Sequence, residues 1–112
     1  MSKTLFQQIA DGEIPADVVY EDDRAVAFRD INPQAPTHIL IVPREPIPRA
    51  DAIEAADEAL VGHLFVVAKN VAAEEGLSDY RLVMNNGEGA GQSVFHIHLH
   101  LLGGRSMQWP PG

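Results

Sequence analysis

Three of the chain's five histidines, His96, His98 and His100, take alternate positions in "SVFHIHLHLL", with apolar residues between them. Imidazole has an ordinary pKa of about 6.5, so near neutrality it can serve as nucleophile, acid, base or metal ligand. Side chains of an extended strand alternate faces. The spacing therefore predicts a strand with the three rings on one face and Phe95, Ile97, Leu99 and Leu101 on the other, in the core. Imidazoles turned toward an apolar interior are costly unless hydrogen-bonded, so the histidine face is expected to meet water, a ligand or a partner.

Three uses of such a face compete. One is a solvated face that happens to be rich in histidine. The second is a metal site. Rings two positions apart lie about 7 Å apart and can share an ion, but the first and third are about 13 Å apart, too far for metal–nitrogen bonds of roughly 2.0–2.1 Å. A metal would need two of them and a further ligand such as His38. The third is a division of tasks along an extended, oxygen-rich substrate. Just ahead of the histidines, "NNGEGAGQS" supplies Gly87, Gly89 and Gly91, where backbone N–H groups can approach an anion closely. Alone, that loop reads as a turn, and no Gly-Lys-Ser/Thr follows to make a P-loop. With Gln92, Ser93 and the histidines behind it, it reads as an anion cradle.

The elements that must position these residues follow from periodicity. "KTLFQQIADG" spaces Leu5, Phe6 and Ile9 as a short helix ending at Gly12. "DVVYE" and "RAVAFRD" read as strands joined at Asp22–Asp23, and "HILIVP" as a central strand stopped by Pro43. From Asp57 to Glu75, apolar residues recur at three- and four-residue steps, predicting a long helix with Asp57 as N-cap and Gly76 at its end. "YRLVMN" and "SVFHIHLHLL" complete five strands. The order predicts an α+β fold: a mainly antiparallel five-stranded sheet with a short N-terminal helix and one long helix. One domain over 1–112 is expected, with an irregular tail from about 103.

Composition narrows the function. Eight basic against sixteen acidic residues give a net charge of −8, which disfavours a grip on polymeric nucleic acid but not on a small nucleotide. The chain has no cysteine, which removes disulfides and thiolate zinc sites. "ILIV" and "LFVVA" are far too short to span a membrane, so a soluble cytoplasmic protein is the expectation.

"HIHLHLL", "DINPQAPTHILIVP", "VMNNGEGAGQSVFHIHLH" and "GGRSMQWPPG" together resemble the histidine triad (HIT) family, in its histidine triad nucleotide-binding branch, from about Leu5 to Gly112. The resemblance implies a HIT-like fold and a set of roles. His98 matches the nucleophile that attacks the α-phosphorus of a nucleotide. His96 matches the position whose carbonyl orients it, His100 a phosphate contact, and His38 a supporting histidine. Ser93 and Asn85 match leaving-group and phosphate contacts, with the Gly91 and Val94 backbone beside them. Asp30 matches the carboxylate on the ribose hydroxyls, and Phe6, Ile9, Phe28, Ile31 and Leu40 an apolar slot for a purine.

Each of these has a plainer reading. Asp30 can bond its own turn, His38 can be a satisfied core histidine, Asn85 a strand-end amide, and the apolar residues core. His63 matches no catalytic position and reads as structural. The implied activity is hydrolysis of purine nucleoside 5′-phosphoramidates without metal or cofactor. Alternatives are dinucleoside polyphosphate hydrolysis, nucleotidyl transfer, or a nucleotide-binding scaffold. The resemblance also implies a homodimer whose tail, with Trp109, lies near the neighbouring subunit's site.

Overall fold

In the computed structural model, which describes residues 2–112, five strands form one antiparallel sheet: β1 (Val18–Glu21), β2 (Ala25–Arg29), β3 (Thr37–Pro43), β4 (Tyr80–Val83) and β5 (Leu99–Gly103), in the order β1-β2-β3-β5-β4. A short helix α1 (Leu5–Ala10) precedes the sheet, and a long helix α2 (Glu58–Glu74) joins β3 to β4. The α+β architecture expected from the pattern is present. Among the described residues, no helix is long and apolar enough to cross a membrane.

The register sorts the sheet's two faces. Ala27 lies opposite Ile41, Ile41 opposite Leu99, and Leu101 opposite Leu82, so these side chains share one face. Leu64, Val67, Ala68, Val71 and Ala72 of α2, spaced three and four apart, pack on it with Ala25, Ala27, Ile39, Ile41, Ile97, Leu99 and Leu101. Alanine at 25 and 27 lets the helix approach closely. On the other face, Phe28 lies opposite Leu40 and Leu40 opposite His100, while His38 lies opposite Leu102 and Leu102 opposite Arg81. Only half of that face is apolar: Phe6 of α1 covers Val26, Phe28, Leu40 and Val42, with Ile9 and Val94 alongside. Phe6 also reaches the rings of His96 and His98.

Two expectations need correction and a third is met in position only. The histidine strand begins at Leu99, not Ser93. Continuing the β3–β5 register past Ile41–Leu99 would set Pro43 opposite Ile97, and proline has no N–H to give the ladder. The Ile97 N–H turns instead to the Ile47 carbonyl at 2.7 Å. Phe95 is accordingly not core; it lies in the bend before the strand and is 43% exposed. Asp57 holds the N-cap position of α2 as expected, but its side chain makes no capping bond to that helix. Its carboxylate accepts from the Glu54 N–H at 2.9 Å and closes a 3-10 turn, Ala55–Asp57, that leads into the helix. At the far end Gly76 takes φ +74°, with its N–H on Ala73 and that of Leu77 on Ala72, which ends the helix as expected.

Candidate active site

The loss of strand pairing before Leu99 leaves residues 92–98 to be held by other means. His96 Nε2 lies 2.6 Å from the Pro43 carbonyl, which can only accept, so Nε2 carries the proton. Its Nδ1 is then an acceptor, and the Thr4 hydroxyl donates to it at 2.6 Å. Thr4 Oγ1 in turn accepts the Gln7 N–H at 2.9 Å, as the N-cap of α1. One directional chain thus runs from the first turn of α1 through the fully buried His96 ring to the end of β3.

The same logic fixes the next ring. His98 Nδ1 lies 2.8 Å from the His96 carbonyl and donates to it, which puts the lone pair on Nε2. That Nε2 has no hydrogen-bond partner among the described residues, yet it is not sealed from solvent. His98 packs edge-on against Phe6, ring centres 4.9 Å apart, and against His100, also at 4.9 Å.

A second relay sets His100. The Gln34 N–H donates to His38 Nδ1 at 3.0 Å, so His38 carries its proton on Nε2. It donates to His100 Nδ1 at 2.9 Å, which leaves His100 with a donor at Nε2. Asp30 Oδ2, 3.5 Å from His38 Nε2, favours the same tautomer. The other Asp30 oxygen accepts the Asn32 N–H at 2.8 Å, so the turn role is also real. An unbonded lone pair on His98 and an unbonded N–H on His100 therefore stand side by side: a base or nucleophile beside a donor.

Burial keeps these rings neutral. It pushes His38, His96 and His98 below the usual imidazole value, against the smaller opposing pull of Asp30 on His38 and His98 and of accepting carbonyls on His96 and His98. His100 is pushed down to about 4, first by burial and then by its histidine neighbours.

The glycine loop stands where the spacing placed it. Gly87 and Gly91 take φ of +94° and +97°, which only glycine adopts freely. Buried Gln92 clamps the loop: its Oε1 accepts the Gly87 N–H at 2.8 Å, and its Nε2 donates to the carbonyls of Pro48 at 2.8 Å and Val94 at 3.1 Å. Ser93 is exposed, and Asn85 lies under Gly91. Among the residues expected to form a purine slot, Phe6, Ile9, Phe28 and Leu40 come together with Val94. Ile31 does not join them and is fully exposed.

Sequence reasoning missed Thr4, Gln92 as a clamp, Gln34 and the Pro43 carbonyl. Thr4 was findable, because "TLFQ" has the Thr-x-x-Gln spacing of a capping box. Its bond to His96 was not, since it spans 92 positions. His63 proves structural in its contacts: its Nε2 donates to Asp22 at 2.6 Å and Arg24 donates to its Nδ1 at 3.2 Å.

Asp30, His38 and His100 also bring ligand-type atoms within 4.8 Å of one another. This trio takes only one member of the histidine row. Its two rings stand 2.9 Å apart as a hydrogen-bonded pair, whereas two nitrogens on a tetrahedral zinc are about 3.4 Å apart. The trio as arranged fits a shared proton better than an ion.

Comparison with known proteins identifies the family. Residues 11–107 match the model of the HIT domain. A crystal structure of a HIT family hydrolase from Legionella pneumophila is 54% identical, with a TM-score of 0.95 over 98% of this chain and 100% of that one. A histidine triad nucleotide-binding protein from Candida albicans is 28% identical, with a TM-score of 0.83 over 96% of this chain and 83% of that one. A 14 kDa zinc-binding protein of Zea mays is 54% identical over 99% of this chain and 89% of its own length.

Proposed function

The chain belongs to the histidine triad family, and from that premise we propose that it is a hydrolase of purine nucleoside 5′-phosphoramidates working through a nucleotidyl-histidine intermediate on His98. The observation that carries this reading is the pair of open ring nitrogens, an acceptor on His98 and a donor on His100, beside the apolar cluster of Phe6, Phe28 and Leu40 and a glycine loop. The kinship with a named hydrolase and a named nucleotide-binding protein supports the reaction class and the substrate class.

In this reading the purine enters between Phe6, Ile9, Phe28 and Leu40, with Ile31 at the open rim, and Asp30 Oδ2 takes the ribose hydroxyls. His98 Nε2 attacks phosphorus, the P–N bond breaks, and the leaving nitrogen takes a proton relayed by Ser93. Positive charge forms on the His98 ring, whose Nδ1–H is already aimed at the His96 carbonyl. His100 Nε2–H, Asn85 and the loop N–H groups at Gly91 and Val94 receive the phosphate oxygens. Water then attacks phosphorus, the bond to Nε2 breaks, and the nucleoside monophosphate leaves with His98 restored. No step needs a metal. We also propose a homodimer: β4 is an open sheet edge and Trp109 is 81% exposed, both suited to a second copy.

The test is release of AMP from adenosine 5′-monophosphoramidate, set against a dinucleoside polyphosphate at equal enzyme concentration. Faster cleavage of the dinucleotide would replace this reading with the alternative of the same family. A zinc-dependent reading draws on the name of the maize relative and on the Asp30, His38 and His100 trio. It requires chelation to abolish activity and zinc to restore it, and indifference to chelation is expected.

A further inference from the structure

Helix α1 has only six residues, too few to be stable alone, so its seat on the sheet depends on what grips its two ends. At its start the Thr4 hydroxyl donates to His96, whose Nε2–H bonds the Pro43 carbonyl. At its end the last carbonyls go to different donors. Those of Gln7, Gln8 and Ile9 accept the backbone N–H groups of Asp11, Glu13 and Gly12, whereas that of Ala10 accepts Arg44 Nη1 at 2.9 Å. Both grips therefore trace to consecutive residues: Pro43, the last of β3, and Arg44, the next.

Arg44 is itself well rooted. Its N–H donates to the Arg24 carbonyl at 2.9 Å, one step beyond the Ala25–Pro43 pair of the β2–β3 ladder. Its Nε donates to the Asp22 carbonyl at 2.8 Å and its Nη2 to Glu21 Oε1 at 3.3 Å. Asp22 is held in turn, because its carboxylate accepts the N–H groups of Arg24 and Ala25, the Tyr20 hydroxyl and His63 Nε2. One planar guanidinium thus ties the end of α1 to the β1–β2 turn. What it holds matters, since Ile9 adjoins Ala10. Phe6 and Ile9, one helical turn apart, pack together with Phe28 and Leu40, and Phe6 meets Phe28 edge-on with ring centres 5.5 Å apart. The Thr4 grip lies at the Phe6 end of this cover, beside the histidines, and the Arg44 grip at the Ile9 end.

We propose that Arg44 is a positioning residue for the purine: by fixing the far end of α1 it sets the distance between Ile9 and the sheet, and so the width available to the base. This deepens the hydrolase reading and rests on it for the identity of the ligand. Arg44 acts through the Ala10 carbonyl and not through its charge, because its donors are already engaged by Ala10, Asp22 and Glu21. Its effect is therefore the same for a neutral nucleoside as for a nucleotide. An effect of charge would fall on the phosphate alone.

The test measures binding of AMP and of adenosine by calorimetry, together with amide hydrogen exchange along α1. Arg44→Met keeps the bulk of the side chain and loses every donor. It is expected to weaken both ligands by about tenfold and to speed exchange from Gln8 to Gly12, with exchange at Leu101 in the core unchanged. Arg44→Lys keeps the charge and loses the fork. It is expected to weaken both ligands by about threefold, and it decides alone where Arg44→Met does not fold. Native affinity in the variants, a loss for AMP without one for adenosine, exchange at α1 as slow as native, or no binding of either ligand to the native protein overturns the proposal. Turnover of an adenosine phosphoramidate by the native protein separates the two readings. Binding that Arg44→Met weakens, without turnover, defeats the hydrolase and keeps the role of Arg44, whereas turnover with native affinity in Arg44→Met defeats the role of Arg44 alone.

Discussion

From Leu99 to Gly103 the histidine segment is a strand paired on both sides, with β3 and with β4, whereas from Gln92 to His98 it hangs on the carbonyls of Pro43, at the end of β3, and of Ile47 and Pro48 in the loop after it. The alternation of apolar residues and histidines runs across both halves, from Phe95 to Leu101. In the paired half, register sets His100 diagonally across from His38, close enough for their rings to hydrogen-bond. In the unpaired half the His96 carbonyl accepts from the ring of His98, two residues on, which fixes that ring's tautomer. A ladder carried back to Ser93 would draw backbone groups of this half into pairing with a neighbouring strand. Leaving the sheet is thus what lets the chain orient a nucleophile with its own backbone.

The comparison can be broken at several points, with diminishing effect. His98→Ala is expected to lower turnover of a phosphoramidate by roughly 10⁴-fold or more while nucleotide affinity stays near native, measured by AMP release and calorimetry. Retained turnover would remove His98 from the reaction. In the paired half, Leu101→Ala leaves a hole between sheet and helix and is expected to cost about 3 kcal/mol in urea unfolding. Thr4→Val, which reaches only the unpaired half, is expected to cost about 1–2 kcal/mol and to lower kcat with little change in KM; Thr4→Ser should restore both. A Thr4→Val enzyme with native kcat would detach α1 from the orientation of His96.

The pH dependence follows from burial. His38, His96, His98 and His100 all have folded pKa values below the unfolded value of about 6.5, so the unfolded chain binds more protons as the solution becomes acidic. Their contribution to stability is complete above about pH 6.5 and is lost as pH falls, with His100 titrating at about 4. Unfolding midpoints taken from pH 7.5 to 4 should decline over that window. The acidic limb of kcat should lie below the pKa of free imidazole; a limb above it would mean that His98 is not held neutral by burial. The smallest effect belongs to Phe95→Ser, expected within about 0.5 kcal/mol of native because the ring is exposed.

The elements of the fold were legible because their signals are local: the three- and four-residue steps of α2, the glycines at 12 and 76, and Pro43 ending β3. The histidines and glycines of the site were legible for the same reason. Proline's effect on a neighbouring strand was not, because Pro43 and Ile97 meet only through register. The links from Thr4 to His96 and from Gln34 to His38 were equally hidden, since ring tautomers depend on partners brought together by folding. Arg44 looks like any other surface arginine until folding brings the end of α1 to it.

The central claim is tested most directly by quenching the enzyme in alkaline denaturant, which preserves a P–N bond to histidine, during turnover of an adenosine phosphoramidate and mapping the adduct by mass spectrometry. An adenylyl group on the peptide spanning residues 94–102, located at His98 and absent from the His98→Ala protein, is the expected result. An adduct at any other residue, or full turnover with no adduct at any time, would contradict it.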